Sequence, residues 1–200
     1  MSTSLFTSTS TQLLAGLLDG ADQSAWRTFD ARIRPVLIGT AARLGMKPDE
    51  AEDVAQQTLL RAYEALRLGQ FNGGKGKLRA WIVTIAHNAA CDVLRRRRLG
   101  PQAGSANSAL PDEARVSIVL SQEWNRSLLH RTMELIRTSS QFDARTIRAF
   151  ELVVLHGVPV REAAAQCEMT EPQVYVARSR VRARFMQLFR ELGAEAGAGE

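Results

Sequence analysis

Apolar residues recur at three- and four-residue steps through most of the chain between residues 12 and 192, and strand-like alternation is absent. That periodicity predicts an all-α protein. The first long helix is expected from Asp22 to Leu44, with Trp26, Phe29, Ile33, Leu37, Ala41 and Leu44 on one face. Pro35 lies inside it and is expected to kink or split it, and Gly45 closes it. Pro48 opens a second helix, where an N-terminal proline is tolerated. Asp49, Glu50, Glu52 and Asp53 crowd its first turns and suit the positive end of the dipole. Its apolar positions include Val54, Leu59, Ala62, Tyr63 and Leu66, and Gly69 ends it. A third helix is expected over Leu78–Arg98. Leu78, Trp81, Ile82, Ile85, Ala89 and Val93 face inward, leaving Arg79, Thr84, His87, Asn88, Cys91 and Arg95 on other faces.

Residues 99–115 (LGPQAGSANSALPDEAR) lose the periodicity and read as a flexible linker by composition. Beyond it, helices are expected near Val116–Thr138 and Asp143–His156, the latter with Ile147, Phe150 and Val154 inward and Gly157 as its cap. A short helix, Val160–Cys167, and a tight turn then lead to Thr170. Thr170 and Gln173 have the spacing of a capping box, in which hydroxyl and amide side chains satisfy each other's backbone amides. The last helix runs from about Glu171 to Leu192. The predicted organisation is therefore two small helical domains, 12–98 and 116–192, joined by the linker, with the second ending in a helix-turn-helix. Residues 1–11 and 193–200 are expected to be disordered.

Charge changes the picture. The chain carries 26 Lys+Arg against 21 Asp+Glu, a net charge of +5. Residues 77–98 hold six of the bases, ending in Arg95–Arg98, and a single acid, Asp92, so this one segment accounts for the whole excess. Four consecutive arginines exceed what helix-end capping needs, and a polyanion is the expected partner. In the last helix, five arginines and no acid lie between Gln173 and Arg190. Arg178 and Arg182 fall on one side and Arg180 and Arg184 on another, so that some can grip phosphates while others approach bases.

Other chemistries are weakly supported. The loop at 70–76 has three glycines and a lysine but no GK[ST] and no preceding strand, so it is not a P-loop. Phe71 and Asn72 on that loop could stack against and hydrogen-bond an unpaired base; the loop alone favours simple packing of Phe71. His87 and Cys91 have the spacing of two metal ligands, but no second ligand pair lies near in sequence, and neither a metal nor another cofactor is expected. Asp53, Gln56 and Gln57 can form a polar docking face, although acids there more often compensate the dipole. Two distant cysteines and the lack of a signal-like N-terminus point to a reducing cytoplasm. No run of about 18 apolar residues is present to span a membrane.

The stretches DEAEDVAQQTLLRAYEAL (49–66) and LRAWIVTIAHNAACDVLRRRR (78–98) resemble region 2 of the extracytoplasmic-function sigma factors. VREAAAQCEMTEPQVYVARSRVRARFMQLF (160–189) is similar to their region 4. The resemblance implies a non-enzymatic subunit that binds core RNA polymerase, recognises the minus-ten and minus-thirty-five promoter elements and nucleates DNA melting. It implies that Asp53, Gln56 and Gln57 dock on the β′ clamp, and that region 4 meets the β flap. It implies that Phe71, Asn72, Lys77, Arg79, Asn88, Asp92, Arg95 and Arg96 serve the minus-ten element. Thr170, Gln173, Tyr175, Arg178, Arg180 and Arg182 would serve the minus-thirty-five element. An anti-sigma protein is a further partner the family suggests.

The chain departs from the family where a Lys-Ser-Arg-Leu run is common: here it reads Tyr175-Val176-Ala177-Arg178. Glu168 stands where the turn often has glycine, and the 69–77 loop is richer in glycine than usual. The alternative reading is a stand-alone helix-turn-helix regulator. It explains the C-terminal half but leaves the second helix and the 77–98 segment without a task.

Overall fold

The computed structural model describes residues 13–19, 22–71, 78–99 and 113–197, and these form helices with no strand among them. The protein is all-α. A short helix α1 (13–19) precedes α2 (Gln23–Arg43), α3 (Pro48–Arg67), α4 (Leu78–Leu99) and α5 (Glu113–Thr138). Then come α6 (Ala144–Phe150), a π-helical turn (Glu151–Leu155), α7 (Val160–Gln166) and α8 (Glu171–Gly197). Packing divides the chain into two units, one reaching Ser127 and the other spanning Leu128–Gly193.

Local signals set the helix ends. The Asp22 carboxylate accepts from the amides of Ser24 and Ala25 at 2.9 and 3.0 Å and so starts α2. Gly45 and Gly69 take φ of +77° and +64° just past α2 and α3, a conformation that other residues adopt only at a cost. The Glu50 carboxylate reaches back to the Lys47 amide at 2.7 Å. Helix α2 runs unbroken through Pro35, which was expected to kink or split it. Pro35 and Ala31, one turn earlier, are both exposed, so the carbonyl that loses its amide partner can face water.

In the first unit, alanines at the crossings of α2, α3 and α4 let the backbones approach closely. Ala41, Ala55, Ala62 and Ala89 are fully buried. Larger side chains fill the space between, with Phe29, Leu37 and Ile82 at 2 % exposure or less. Cys91, expected off the inward face of α4, is buried as well, because this helix is covered on more than one side. The covering comes from α5. Val116, Leu120 and Trp124 belong to the clusters formed by α2, α3 and α4. The helix expected to open the second domain at residue 116 thus gives its first half to the first unit.

The second unit has two clusters. One joins Ala149 and Leu152 to Ala163, Ala164, Val174 and Ala177; the other joins Met133 and Ile136 to Ile147, Phe150, Val181 and Leu188. Asp143 caps α6, accepting from the Thr146 amide at 2.7 Å. The single helix expected over 143–156 instead passes into the π turn. The wider turn shifts the phase, so Val153 packs on the core and Val154, expected inward, is 46 % exposed.

The loop residues 72–77, most of the predicted linker (100–112), and the termini 1–12 and 198–200 lie outside the described residues. Helix α8 continues to Gly197, past the Leu192 end expected from the periodicity; Ala and Glu in the last turns are good helix formers.

Candidate polymerase-docking and nucleic-acid surfaces

The inward stripe of α3 is Val54, Thr58, Ala62 and Leu66, which turns Asp53 and Gln56 to solvent. Gln57 is half-buried, and its carbonyl accepts from Arg96 of α4 at 3.4 Å. Leu60, 53 % exposed, follows Asp53 and Gln56 at seven and four residues and shares their face. The periodicity alone gave no reason to single it out; a large apolar residue off the inward stripe is the signal. Glu52 beside them is bound by Arg34 of α2, which also holds Asp30 at 2.8 Å. The Asp30 hydrogen bond raises the already high pKa of Arg34.

On α4, Ala80, Thr84, Asn88 and Arg95 lie on one exposed face. Asn88 and Arg95, two of the expected minus-ten residues, are thus brought to a common surface. Asp92, Arg96, Arg79 and Phe71 make contacts within the protein. Asp92 accepts from Arg61 of α3 at 3.1 Å. Arg96 donates to the Asp92 carbonyl at 3.3 Å as well as to Gln57. Arg79 lies over the Trp124 ring, 5.2 Å from its centroid, and donates to the Asn125 carbonyl at 3.4 Å. Desolvation in that position lowers the Arg79 pKa. Phe71 is half-buried against Trp81, with ring centroids 5.2 Å apart, which is the packing its loop favoured. Asn72 and Lys77 lie outside the described residues.

Arg61, Trp124 and Asn125 were not singled out from the sequence. Their roles depend on contacts across 31 to 46 positions, which periodicity does not carry. The same holds for Glu123, 7 % exposed, whose carboxylate meets Arg43 at 3.0 Å. A Cβ on Gly39 would lie 2.7 Å from that carboxylate, so the glycine makes room for it.

In the second unit, a tight turn joins α7 to α8. The capping box closes as expected: the Thr170 amide donates to the Gln173 side chain at 2.7 Å, and the Gln173 amide to the Thr170 hydroxyl at 3.4 Å. Both side chains are therefore committed to the helix start. Glu168 in the turn has φ of +54° and, among the described residues, is the only non-glycine with a positive φ. The glycine-type geometry is kept, at a local cost of roughly 1–2 kcal/mol. Val174, Ala177 and Val181 bury the inner face of α8. Tyr175, Arg178, Arg180 and Arg182 are exposed. Arg178 lies over the Tyr175 ring at 5.6 Å and Arg180 over Phe142 at 6.0 Å.

Residues 29–99 match the family model for Sigma-70 region 2. The match makes this segment similar to Sigma-70 region 2. The match covers most of α2 and all of α3 and α4, and includes the acidic face of α3 and the outer face of α4. Helices α7 and α8 lie outside it. No curated protein matches the chain. Among the described residues no helix is long and apolar enough to cross a membrane.

Proposed function

We propose that the protein is an RNA polymerase sigma factor of the extracytoplasmic-function type, with a region 4 in its second unit, acting in the cytoplasm. The observation that carries this reading is the region 2 match, within which α3 presents Asp53 and Gln56 outward. Those two side chains, with Leu60 between polar neighbours, suit a docking face for the β′ clamp of core polymerase. Asn88 and Arg95 on the outer face of α4 are the candidates to meet the minus-ten element. Asp92 and Gln57 act indirectly, by holding Arg61 and Arg96. Arg79, tucked against Trp124, needs α5 to shift before it can touch DNA.

The helix-turn-helix supplies the second promoter contact. Helix α8 enters the major groove of the minus-thirty-five element, and its arginines neutralise phosphates. The surrounding unit meets the β flap. Melting requires no hydrolysis: capture of an unstacked base offsets the few kcal/mol of unstacking. An anti-sigma protein would act by covering these same surfaces.

The test is reconstituted transcription. The protein is added to bacterial core polymerase on supercoiled genomic fragments, and transcript starts are mapped. Starts that share two spaced upstream elements and depend on the protein are expected. No dependent start, together with sequence-selective duplex binding in the absence of core, would favour the stand-alone regulator instead.

A further inference from the structure

The outer face of α8 has a chemistry that its arginine count conceals. The buried stripe is Val174, Ala177, Val181 and Leu188. On a 3.6-residue repeat the positions opposite are Pro172, Val176, Ser179 and Ala183, all exposed. The arginines fall on the flanks, Arg178 and Arg182 on one side and Arg180 and Arg184 on the other. Two of them lie loosely over rings there: Arg178 over Tyr175, and Arg180 over Phe142. In the second turn Tyr175 and Val176 stand on either side of the outward line, 50 % and 55 % exposed, and Val176 presents an isopropyl group with no donor or acceptor.

A helix in the major groove meets base edges with its outward face and phosphates with its flanks. Flanking arginines with no acid between Gln173 and Arg190 make duplex DNA the complementary occupant. Among the bases, thymine alone offers an apolar group in that groove, its C5-methyl.

We propose that Val176 reads a thymine C5-methyl in the minus-thirty-five element, and that Arg178 and Arg182 fix the helix on phosphates without choosing the base. The inference rests on the reading of α8 as a duplex-DNA helix and adds to it the class of base and the residue that selects it. The Tyr175-Val176-Ala177-Arg178 run then carries a consequence: Val176 stands beside Tyr175 on the outward side, and the arginine stands on the flank.

The experiment uses the full chain with core polymerase. Duplexes that bind are selected from a pool randomised at the upstream element, and each thymine of the selected site is replaced in turn by deoxyuridine, which lacks only the methyl. At one thymine the replacement is expected to weaken binding about fourfold, the scale of one buried methyl. Val176→Ala should bind the thymine and deoxyuridine duplexes equally, completing a double-mutant cycle. Arg178→Ala should weaken both duplexes alike and flatten the salt dependence. A selected site in which every deoxyuridine is neutral, or a preference for guanine that Arg178→Ala abolishes, overturns methyl reading while leaving the DNA role of α8 standing. A pool that yields no preferred upstream sequence overturns both.

Discussion

Helices α4 and α8 are both cationic, yet they hold their charge differently. On α4, Arg79 is covered by Trp124 and Arg96 is tied to Gln57 and its own helix, while Asp92 is occupied by Arg61. On α8, Arg178 and Arg180 make only loose ring contacts, and Arg182 is exposed. The same residue type thus performs two tasks. In the first unit Arg61, Arg79 and Arg96 tie helices together, and Asn88 and Arg95 share an exposed face. In the second, Arg178, Arg180 and Arg182 are exposed and form a positive surface. Rows of arginine in a sequence do not distinguish these cases; partners distant in sequence do.

The sharpest break in this comparison is at the aromatic residues beside the arginines. Trp124→Ala removes a buried ring from the first unit and should cost about 3 kcal/mol in urea unfolding, within the range for core aromatic truncations. Tyr175→Ala removes a half-exposed ring on α8 and should stay within about 0.5 kcal/mol. Equal costs would mean that the first half of α5 does not belong to the core around α2, α3 and α4.

Next come the turn and the charges. Glu168→Gly should stabilise the second unit by about 1 kcal/mol, because glycine adopts the left-handed conformation without the Cβ penalty. Thermal unfolding followed by circular dichroism measures it. Arg182→Ala should lower the slope of log affinity against log salt by about 1 on duplex DNA. Arg61→Ala should leave that slope nearly unchanged and cost less than about 1 kcal/mol of stability, since its pair with Asp92 is exposed.

The smallest effect lies at Asp143. Its hydrogen bond from the Thr146 amide holds its pKa below the ordinary carboxylate value. The contribution is therefore complete above the unfolded pKa and lost as pH falls through the depressed folded one. Acid titration of helicity should show a slight loss in the wild type below about pH 4, the unfolded carboxylate range, that Asp143→Asn does not share.

These contrasts also explain what was readable beforehand. Caps, closing glycines and the Thr170–Gln173 box were legible because each is completed within a few residues. The all-α class followed from periodicity for the same reason. The π turn was not, because Val153 and Val154 are both apolar and only packing decides which faces inward. Nor was the position of α5, since a composition-defined linker says nothing about where the next helix docks. At the candidate site, Asp53 and Gln56 were legible as polar positions off an apolar stripe. The cover over Arg79 and the tie between Arg61 and Asp92 were not, because both depend on tertiary contacts.

The most direct measurement is binding of labelled full-length protein to bacterial core RNA polymerase without DNA, for the wild type and Asp53→Ala. Tight one-to-one binding is expected, which Asp53→Ala weakens at least about tenfold with helicity unchanged, on the scale of an interface hot spot. Absence of wild-type binding, or undiminished affinity in Asp53→Ala, would contradict that expectation.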